Sequence, residues 1–198
     1  DVVIDGERGH AGTLAMADRR DALEAFSRIA SALYAEVGGH DALVKFTIGR
    51  LQVEPNAPSV VPERVTLRID LRHPDNVVLD ALGARLTALC AQHAAPCEAR
   101  VTPLVDAPSN GFDAALQQAI ADAAERIGQS HMPILSAAGH DARHLAPLCP
   151  SAMIFIPCRG GVSHAEHEWA EPAHVTAGAD VLLQVLLPYA LPGEGSTR

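Results

Sequence analysis

The sequence is short of aromatic residues, has no apolar run long enough to span a membrane, and carries no excess of positive charge. Aromatics are 4% of the 198 residues, so a core has to be built mainly from Ala, Leu, Val and Ile within the hydrophobic 48%. A net charge of −9 disfavours nucleic acid or an anionic membrane as the main partner. We find no stretch of roughly 18 uncharged apolar residues and predict no membrane-spanning helix.

Cysteine is also scarce, and no two cysteines have the C-x-x-C spacing of a zinc knuckle. We expect all four to be reduced and buried, as in a cytoplasmic protein, namely Cys90, Cys97, Cys149 and Cys158. The chain starts without Met or a signal peptide, and Asp1–Asp5 has the pattern of a strand in progress. We therefore expect a piece of a longer protein.

The first half of the chain has the pattern of a small mixed domain, which we place at residues 1–106. Arg64–Arg72 alternates cleanly between apolar and polar residues, which predicts a strand with one buried face. Strands are also predicted at 1–7, 43–53 and 97–105, and helices at 20–37, with Asp18 as N-cap, and at 75–95. The order β-α-β-β-α-β is that of a ferredoxin-like sandwich.

The second half, residues 107–198, alternates helices with short apolar strands and follows a polar linker at 106–111. Helices are predicted at 112–127, 139–148 and 172–187, and strands at 132–135 and 153–156. The strand at 153–156 is apolar on both faces, as in a buried parallel sheet. We predict an α/β layer that is about half of a doubly wound domain.

The densest group of chemically active residues follows the predicted strand at 153–156. Gly161-Val162-Ser163-His164 is followed by Glu166, His167 and Glu168. Ligands gather at the carboxyl ends of parallel strands, and imidazole and carboxylate suit zinc or manganese. The alternative is a solvated loop. We favour the functional interpretation, with His164 as the better metal ligand.

Three further positions leave both interpretations open. Ser136–Asp141 could aim the free N–H groups of a short helix at an anion, or could be an ordinary turn in which His140 and Asp141 cap that helix. His10, in a glycine turn, is more often structural. Arg72 could bind a carboxylate as a fork or pair with Asp70 at the surface, and its spacing favours the surface pair.

Together these segments resemble the motifs of one enzyme family, in that family's order and over nearly the whole chain. Residues 9–22 look like its G-H-A-G-T-x-x-M…R-x-D-A signature, and 55–62 like its P-N-A-x-N-V-x-P loop. Asp70-Leu71-Arg72 matches its D-x-R strand end. Residues 136–142 and 161–168 are similar to S-G-A-G-H-D-A and G-I-S-H-x-x-x-E. The family is the N-carbamoyl-L-amino-acid hydrolase and allantoate amidohydrolase branch of the aminoacylase-type (M20) metallopeptidases.

The resemblance implies a two-metal α/β catalytic domain, with zinc or manganese, and an inserted lid that forms a homodimer. His164 would bind metal, and a metal-bound water would attack the carbamoyl carbon of a small-molecule substrate. His10 would reach across the dimer to polarise the scissile carbonyl or steady the oxyanion. The implied substrate-binding residues are Asn56, Ser59, Arg72, Ala138, Gly139 and His140.

The sequence also departs from the family. Ser59 stands where the family loop has its second Asn, so substrate grip or choice differs. The other metal ligands and the Glu-Glu general base of the family lie upstream of the lid and are not in this sequence. We therefore expect the isolated chain to be inactive although its parent is an enzyme. Allantoate hydrolysis is the nearest alternative function, and a non-catalytic dimerisation or binding module is the alternative of another class.

Overall fold

The structure is a computed structural model that describes residues 1–190, and the chain divides into two units, Asp1–Ser109 and a second that begins at Asn110. The first unit holds β1 (Val2–Asp5), β2 (Gly9–His10), α1 (Ala22–Glu36), β3 (Lys45–Glu54), β4 (Val60–Val61), β5 (Arg64–Arg72), α2 (Asn76–Ala94) and β6 (Glu98–Val101). In the second unit lie α3 (Ala114–Arg126), α4 (Ala142–Leu145) and α5 (Pro172–Ala190). No helix within residues 1–190 is both long and apolar enough to cross a bilayer.

The first unit is a four-stranded sheet in the order β3-β5-β1-β6, in which every pair is antiparallel. Because side chains alternate along a strand, Val2 and Ile4 of β1 point to the same face as Val65 and Leu67 of β5, and all four are buried. Both long helices pack on that face, with Ile29, Leu33, Leu86 and Leu89 fully or nearly fully buried against the sheet.

The opposite face of this sheet is polar and carries cross-strand ion pairs. Arg64 Nε lies 2.7 Å from an Asp5 carboxylate oxygen, and Arg100 reaches the other oxygen of Asp5 at 2.7 Å. Arg68 donates two hydrogen bonds to Asp1. These charges keep one face in water, which explains the clean alternation over 64–72 and fixes the register of the sheet.

The helix starts follow the usual capping chemistry, with one correction. The N-cap of α1 is Asp21, whose carboxylate accepts hydrogen bonds from the backbone N–H groups of Leu23 and Glu24. The prediction that Asp18 caps this helix is wrong, because residues 16–18 form a separate 3₁₀ turn that directs the chain into α1. Asp75 caps α2 in the same way.

The second unit differs most from the sequence prediction. Helices α3 and α5 pack through Ala123, Ala124 and Val181, with Ile154 against them. The strands predicted at 132–135 and 153–156 are absent, and no strand is assigned anywhere in residues 110–190. The prediction rested on short apolar runs, and it failed because apolar residues form a strand only when a neighbouring strand completes its hydrogen bonds.

The burial expected of the segment 153–156 is only partial, and the segment 132–135 is exposed. Ile134 is 65% exposed, Leu135 57% and Phe155 44%. The segment around Ile156 does touch α5 closely, since a Cβ placed on Gly178 would lie 2.6 Å from Ile156 Cγ2. Among the cysteines, Cys90 and Cys97 are buried as expected, but Cys149 is exposed and Cys158 only half-buried.

Candidate active site

His10 lies in a tight turn that is attached to the loop preceding β5. β2 pairs antiparallel with β4, with His10 opposite Val60, and the Ala11 N–H donates to the Ser59 carbonyl at 2.9 Å. Asn56, in the same loop, has a left-handed backbone with φ 53°. The structure therefore joins the turn of His10 to the distant loop that carries Asn56 and Ser59, and all three predicted site residues are exposed.

The turn determines which ring nitrogen of the neutral His10 imidazole carries the proton. The Gly12 N–H donates to His10 Nδ1 at 3.0 Å, so the neutral imidazole carries its proton on Nε2 and can donate from there. Gly12 lies against the ring, since a Cβ at this position would come within 3.2 Å of His10 Cε1. The ring borders an open cavity of ≈ 300 Å³ that Thr13 and Leu14 also line. His10 is thus arranged as a hydrogen-bond donor at the surface.

Arg72 lies at the other end of the same sheet. It is the last residue of β5, whereas the His10 turn is attached ahead of the first residue of that strand. A strand of nine residues separates the two ends by roughly 25 Å. Arg72 donates from Nε and Nη2 to the two oxygens of Asp70, at 2.7 and 2.6 Å. The hydrogen bond from Arg72 holds the pKa of the Asp70 carboxyl below its usual value. The structure therefore contains the surface pair and does not bring Arg72 to His10.

In the second unit, His140 is held by its own segment. Ser136 Oγ lies 2.6 Å from His140 Nε2, and the His140 ring packs edge-on against Phe155 at 5.4 Å between centroids. The Ala138 N–H donates to Ser136 Oγ at 3.4 Å. The prediction of a helix from 139 that aims free N–H groups at an anion is wrong, because α4 begins at 142 and has four residues. The alternative in which Asp141 caps the helix is wrong too, because its side chain makes no capping hydrogen bond.

His164 adopts the left-handed backbone conformation, with φ 56°. Its backbone N–H donates to Glu168 Oε2 at 3.0 Å, and Glu168 Oε1 lies 4.0 Å from Cys158 Sγ. Arg159 closes the loop through Glu171, at 3.0 and 2.7 Å, and stacks over Trp169 at 5.9 Å. The His164 imidazole is exposed.

A complete metal centre is not assembled by the described part of the chain. Across residues 1–190, no group of three or more His, Cys, Asp or Glu side chains could hold a metal ion. A catalytic zinc is held by three protein ligands as a rule, so His164 alone does not fit one. Any metal bound at His164 would need ligands from outside these residues.

Two polar groups of the first unit were missed by the sequence interpretation. Arg19 donates three hydrogen bonds to backbone carbonyls of the His10 turn, at 2.6 to 3.2 Å. His73 is buried, and its Nε2 lies 3.0 Å from an Asp41 oxygen. Arg19 is the first residue of the R-x-D-A motif, and the sequence analysis assigned it no role. Nothing in the sequence pairs His73 with Asp41, because they meet only in the fold.

The sequence matches the family described as Peptidase family M20/M25/M40 over residues 2–187. It is 33% identical to the N-carbamoyl-L-amino-acid amidohydrolase of Rhizobium meliloti over 94% of this chain and 45% of that protein. It is also 33% identical to the allantoate amidohydrolase of Bacillus subtilis (strain 168), over 96% and 46%. A hydantoinase/carbamoylase family amidase from Burkholderia vietnamiensis superposes with a TM-score of 0.86 at 40% identity, over 96% of this chain and 47% of that one. The chain spans about half the length of these relatives.

Proposed function

The chain belongs to peptidase family M20/M25/M40, and from that premise we propose that it is the C-terminal part of a metal-dependent amidohydrolase that cleaves the carbamoyl C–N bond of N-carbamoyl-L-amino acids. The relatives named above act on carbamoyl amino acids or on allantoate, both of which carry a ureido group and a carboxylate. Residues 1–106 would form the ferredoxin-like lid and dimerisation domain, and residues 107–198 the C-terminal segment of the catalytic domain.

One observation carries the assignment of the site. Within residues 1–190, two non-glycine residues adopt a left-handed backbone, Asn56 and His164. Both lie in motifs to which the family resemblance assigns substrate or metal contact. The left-handed conformation costs most non-glycine residues about 1–3 kcal/mol, although asparagine adopts it more readily than most, and such conformations concentrate at functional sites. The coincidence supports Asn56 as a substrate contact and His164 as a metal ligand.

The two ends of the first unit take different tasks in this proposal. His10 donates from Nε2 to the carbonyl oxygen of the scissile group, with Asn56 and Ser59 beside it, and Arg72 holds the substrate carboxylate as a fork. The His10 turn and Arg72 lie at opposite ends of a strand that is roughly 25 Å long, which argues against one copy placing both residues on one small molecule. The separation supports a homodimer in which each site takes these two residues from different copies.

The remaining assignments concern the second unit and the metal. Ala138 and Gly139 would line the substrate pocket through their backbone, with His140 beside it. The metals would be two zinc or manganese ions per subunit, and His164 is one ligand of them. The other ligands would come from the part of the relatives that this chain does not match. The exposure of apolar residues at 132–135 is in keeping with a further segment packing there.

The experiment compares this chain with a longer protein that restores the upstream region. We expect no turnover of N-carbamoyl amino acids or allantoate by the 198-residue chain with zinc or manganese, and metal-dependent turnover by the longer protein. Turnover of allantoate alone would favour the second candidate, allantoate amidohydrolase, which the equal identity to that relative supports. No turnover by the longer protein, with dimerisation intact, would favour a non-catalytic module instead.

Single substitutions in the longer protein then test the residues. His10→Ala should lower kcat by roughly 10²- to 10³-fold, as the loss of an oxyanion donor does. Arg72→Lys should raise KM, because a lysine cannot form the two-pronged contact. His174→Ala, at an exposed histidine of α5, is the matched control and should leave both constants unchanged. Unchanged kinetics for His10→Ala would refute the role assigned to His10.

A further inference from the structure

Arg19 is committed to the backbone of the His10 turn. Its Nη2 donates to the Ala11 carbonyl at 2.6 Å and to the Leu14 carbonyl at 3.0 Å, and its Nε donates to the Leu14 carbonyl at 3.2 Å. Within residues 1–190, no carboxylate lies at ion-pair distance from Arg19, and its side chain is partly buried. A guanidinium that donates to two backbone carbonyls stabilises the conformation of the turn instead of pairing with a carboxylate.

The turn that Arg19 holds is the one that sets the His10 ring. The Thr13 and Leu14 N–H groups donate to the His10 carbonyl at 3.3 and 3.0 Å, and the Gly12 N–H donates to His10 Nδ1 at 3.0 Å. Ala11 and Leu14 flank Gly12 on both sides. Fixing their two carbonyls therefore fixes the direction of the Gly12 N–H between them.

The 3₁₀ turn at residues 16–18 gives Arg19 its reach. The Arg19 N–H donates to the Met16 carbonyl at 3.4 Å, and the backbone leaves the turn extended at Arg19. The chain thus reverses direction before α1, which brings the Arg19 guanidinium to the carbonyls of Ala11 and Leu14.

We propose that Arg19 is a positioning residue for His10, which holds the turn so that the Gly12 N–H keeps the imidazole proton on Nε2. The catalytic part of this inference rests on the proposed function, in which that Nε2–H donates to the carbonyl oxygen. The structural part concerns the 198-residue chain alone. It can therefore be tested without turnover.

The test uses nuclear magnetic resonance on the 198-residue chain, with ¹⁵N-labelled histidine. In the wild type we expect the neutral His10 ring to be a single Nε2–H tautomer and the Gly12 amide to be protected. Arg19→Ala should give His10 a mixture of tautomers and speed exchange of the Gly12 amide by roughly tenfold. Arg19→Lys should restore little of this, since one ammonium cannot bridge the two carbonyls as a fork.

Controls separate positioning from general stability. Arg20→Ala, at the exposed neighbouring arginine, should change neither reading, and the other nine of the ten histidines should keep their signals in every variant. If Arg19→Ala leaves His10 and Gly12 unchanged, or disturbs the amides of β1 and β5 equally, the proposal is overturned.

Kinetics of the longer protein distinguish the two proposals. We expect Arg19→Ala to lower kcat by roughly ten- to a hundredfold with KM within about twofold, a part of the loss for His10→Ala. A fully active Arg19→Ala beside an inactive His10→Ala would overturn the positioning role and leave the proposed function standing. A fully active His10→Ala would overturn the role of His10 in the proposed function, whereas the tautomer result for Arg19 would still hold.

Discussion

Because the backbone at Asn56 is left-handed, we predict that a glycine at this position leaves the protein more stable than an alanine does. Asn56 has φ 53°, where a residue with a Cβ costs about 1–2 kcal/mol relative to the right-handed region. Glycine avoids this cost but loses about 0.5–1 kcal/mol in chain entropy on folding. The net expectation is that Asn56→Gly is more stable than Asn56→Ala by about 1 kcal/mol.

Gly83 provides the matched control because the same exchange has the opposite sign there. It lies inside α2, and a Cβ at this position meets no atom within 4 Å. Gly83→Ala should therefore stabilise the first unit by about 1 kcal/mol. Hydrogen exchange of the β5 amides, which reports global opening of that unit, measures all three variants.

The outcome at Asn56 also separates stability from function. If alanine is more stable than glycine at position 56, as it is expected to be at position 83, a side chain carries no conformational cost there, and the argument from backbone strain to a substrate contact fails. If glycine is the more stable, Asn56→Gly in the longer protein should fold well and yet raise KM, because it removes the side chain that we propose contacts the substrate.

Three further predictions follow from burial, capping and charge. Burial lowers the pKa of His73, but the hydrogen bonds to Asp41 and to the Asp75 backbone, together with the charges of both carboxylates, outweigh burial, so the pKa is raised overall. This contribution to the stability of the first unit is present below the ordinary pKa of histidine and is lost as pH rises through the folded value. Asp41→Asn should flatten that pH dependence in chemical denaturation. Asp21→Ala should cost about 1 kcal/mol of stability, measured by hydrogen exchange of α1, through loss of the helix cap. A thiol reagent should label Cys149 in the native chain but Cys90 only after unfolding, because burial raises the pKa of Cys90 to about 11; mass spectrometry reads the sites.

The first unit was predictable because its strands and helices find their pairing and packing partners within this chain. The strand Arg64–Arg72 has the predicted bounds. Val65 and Leu67 pack against helices on one face of the sheet, and arginines form ion pairs with carboxylates on the other face. The helices begin and end within two residues of the predicted positions, where local capping decides the boundary. The N-cap was misplaced from Asp21 to Asp18 because both are aspartates and only the 3₁₀ turn distinguishes them.

The second unit and the site were less predictable, for a physical reason. An apolar segment such as 153–156 predicts a strand only if a neighbouring strand is available, and none is assigned in residues 110–190. The motifs identified the turn of His10 and the loop of His164, but the contacts that shape them join backbone groups to the His10 ring, to the Glu168 carboxylate and to Arg19. Such contacts depend on the path of the chain and leave little trace in residue types.

The link between the His10 turn and the Asn56 loop has a consequence for how related proteins can diverge. The Ala11 N–H donates to the backbone carbonyl of Ser59, and the Ser59 hydroxyl takes no part in that hydrogen bond. Since every residue has a carbonyl, the side chain at position 59 can be exchanged without releasing the turn that carries His10. If Ser59 contacts the substrate as we propose, substrate preference can change at this position over evolutionary time while the His10 turn beside it stays in place.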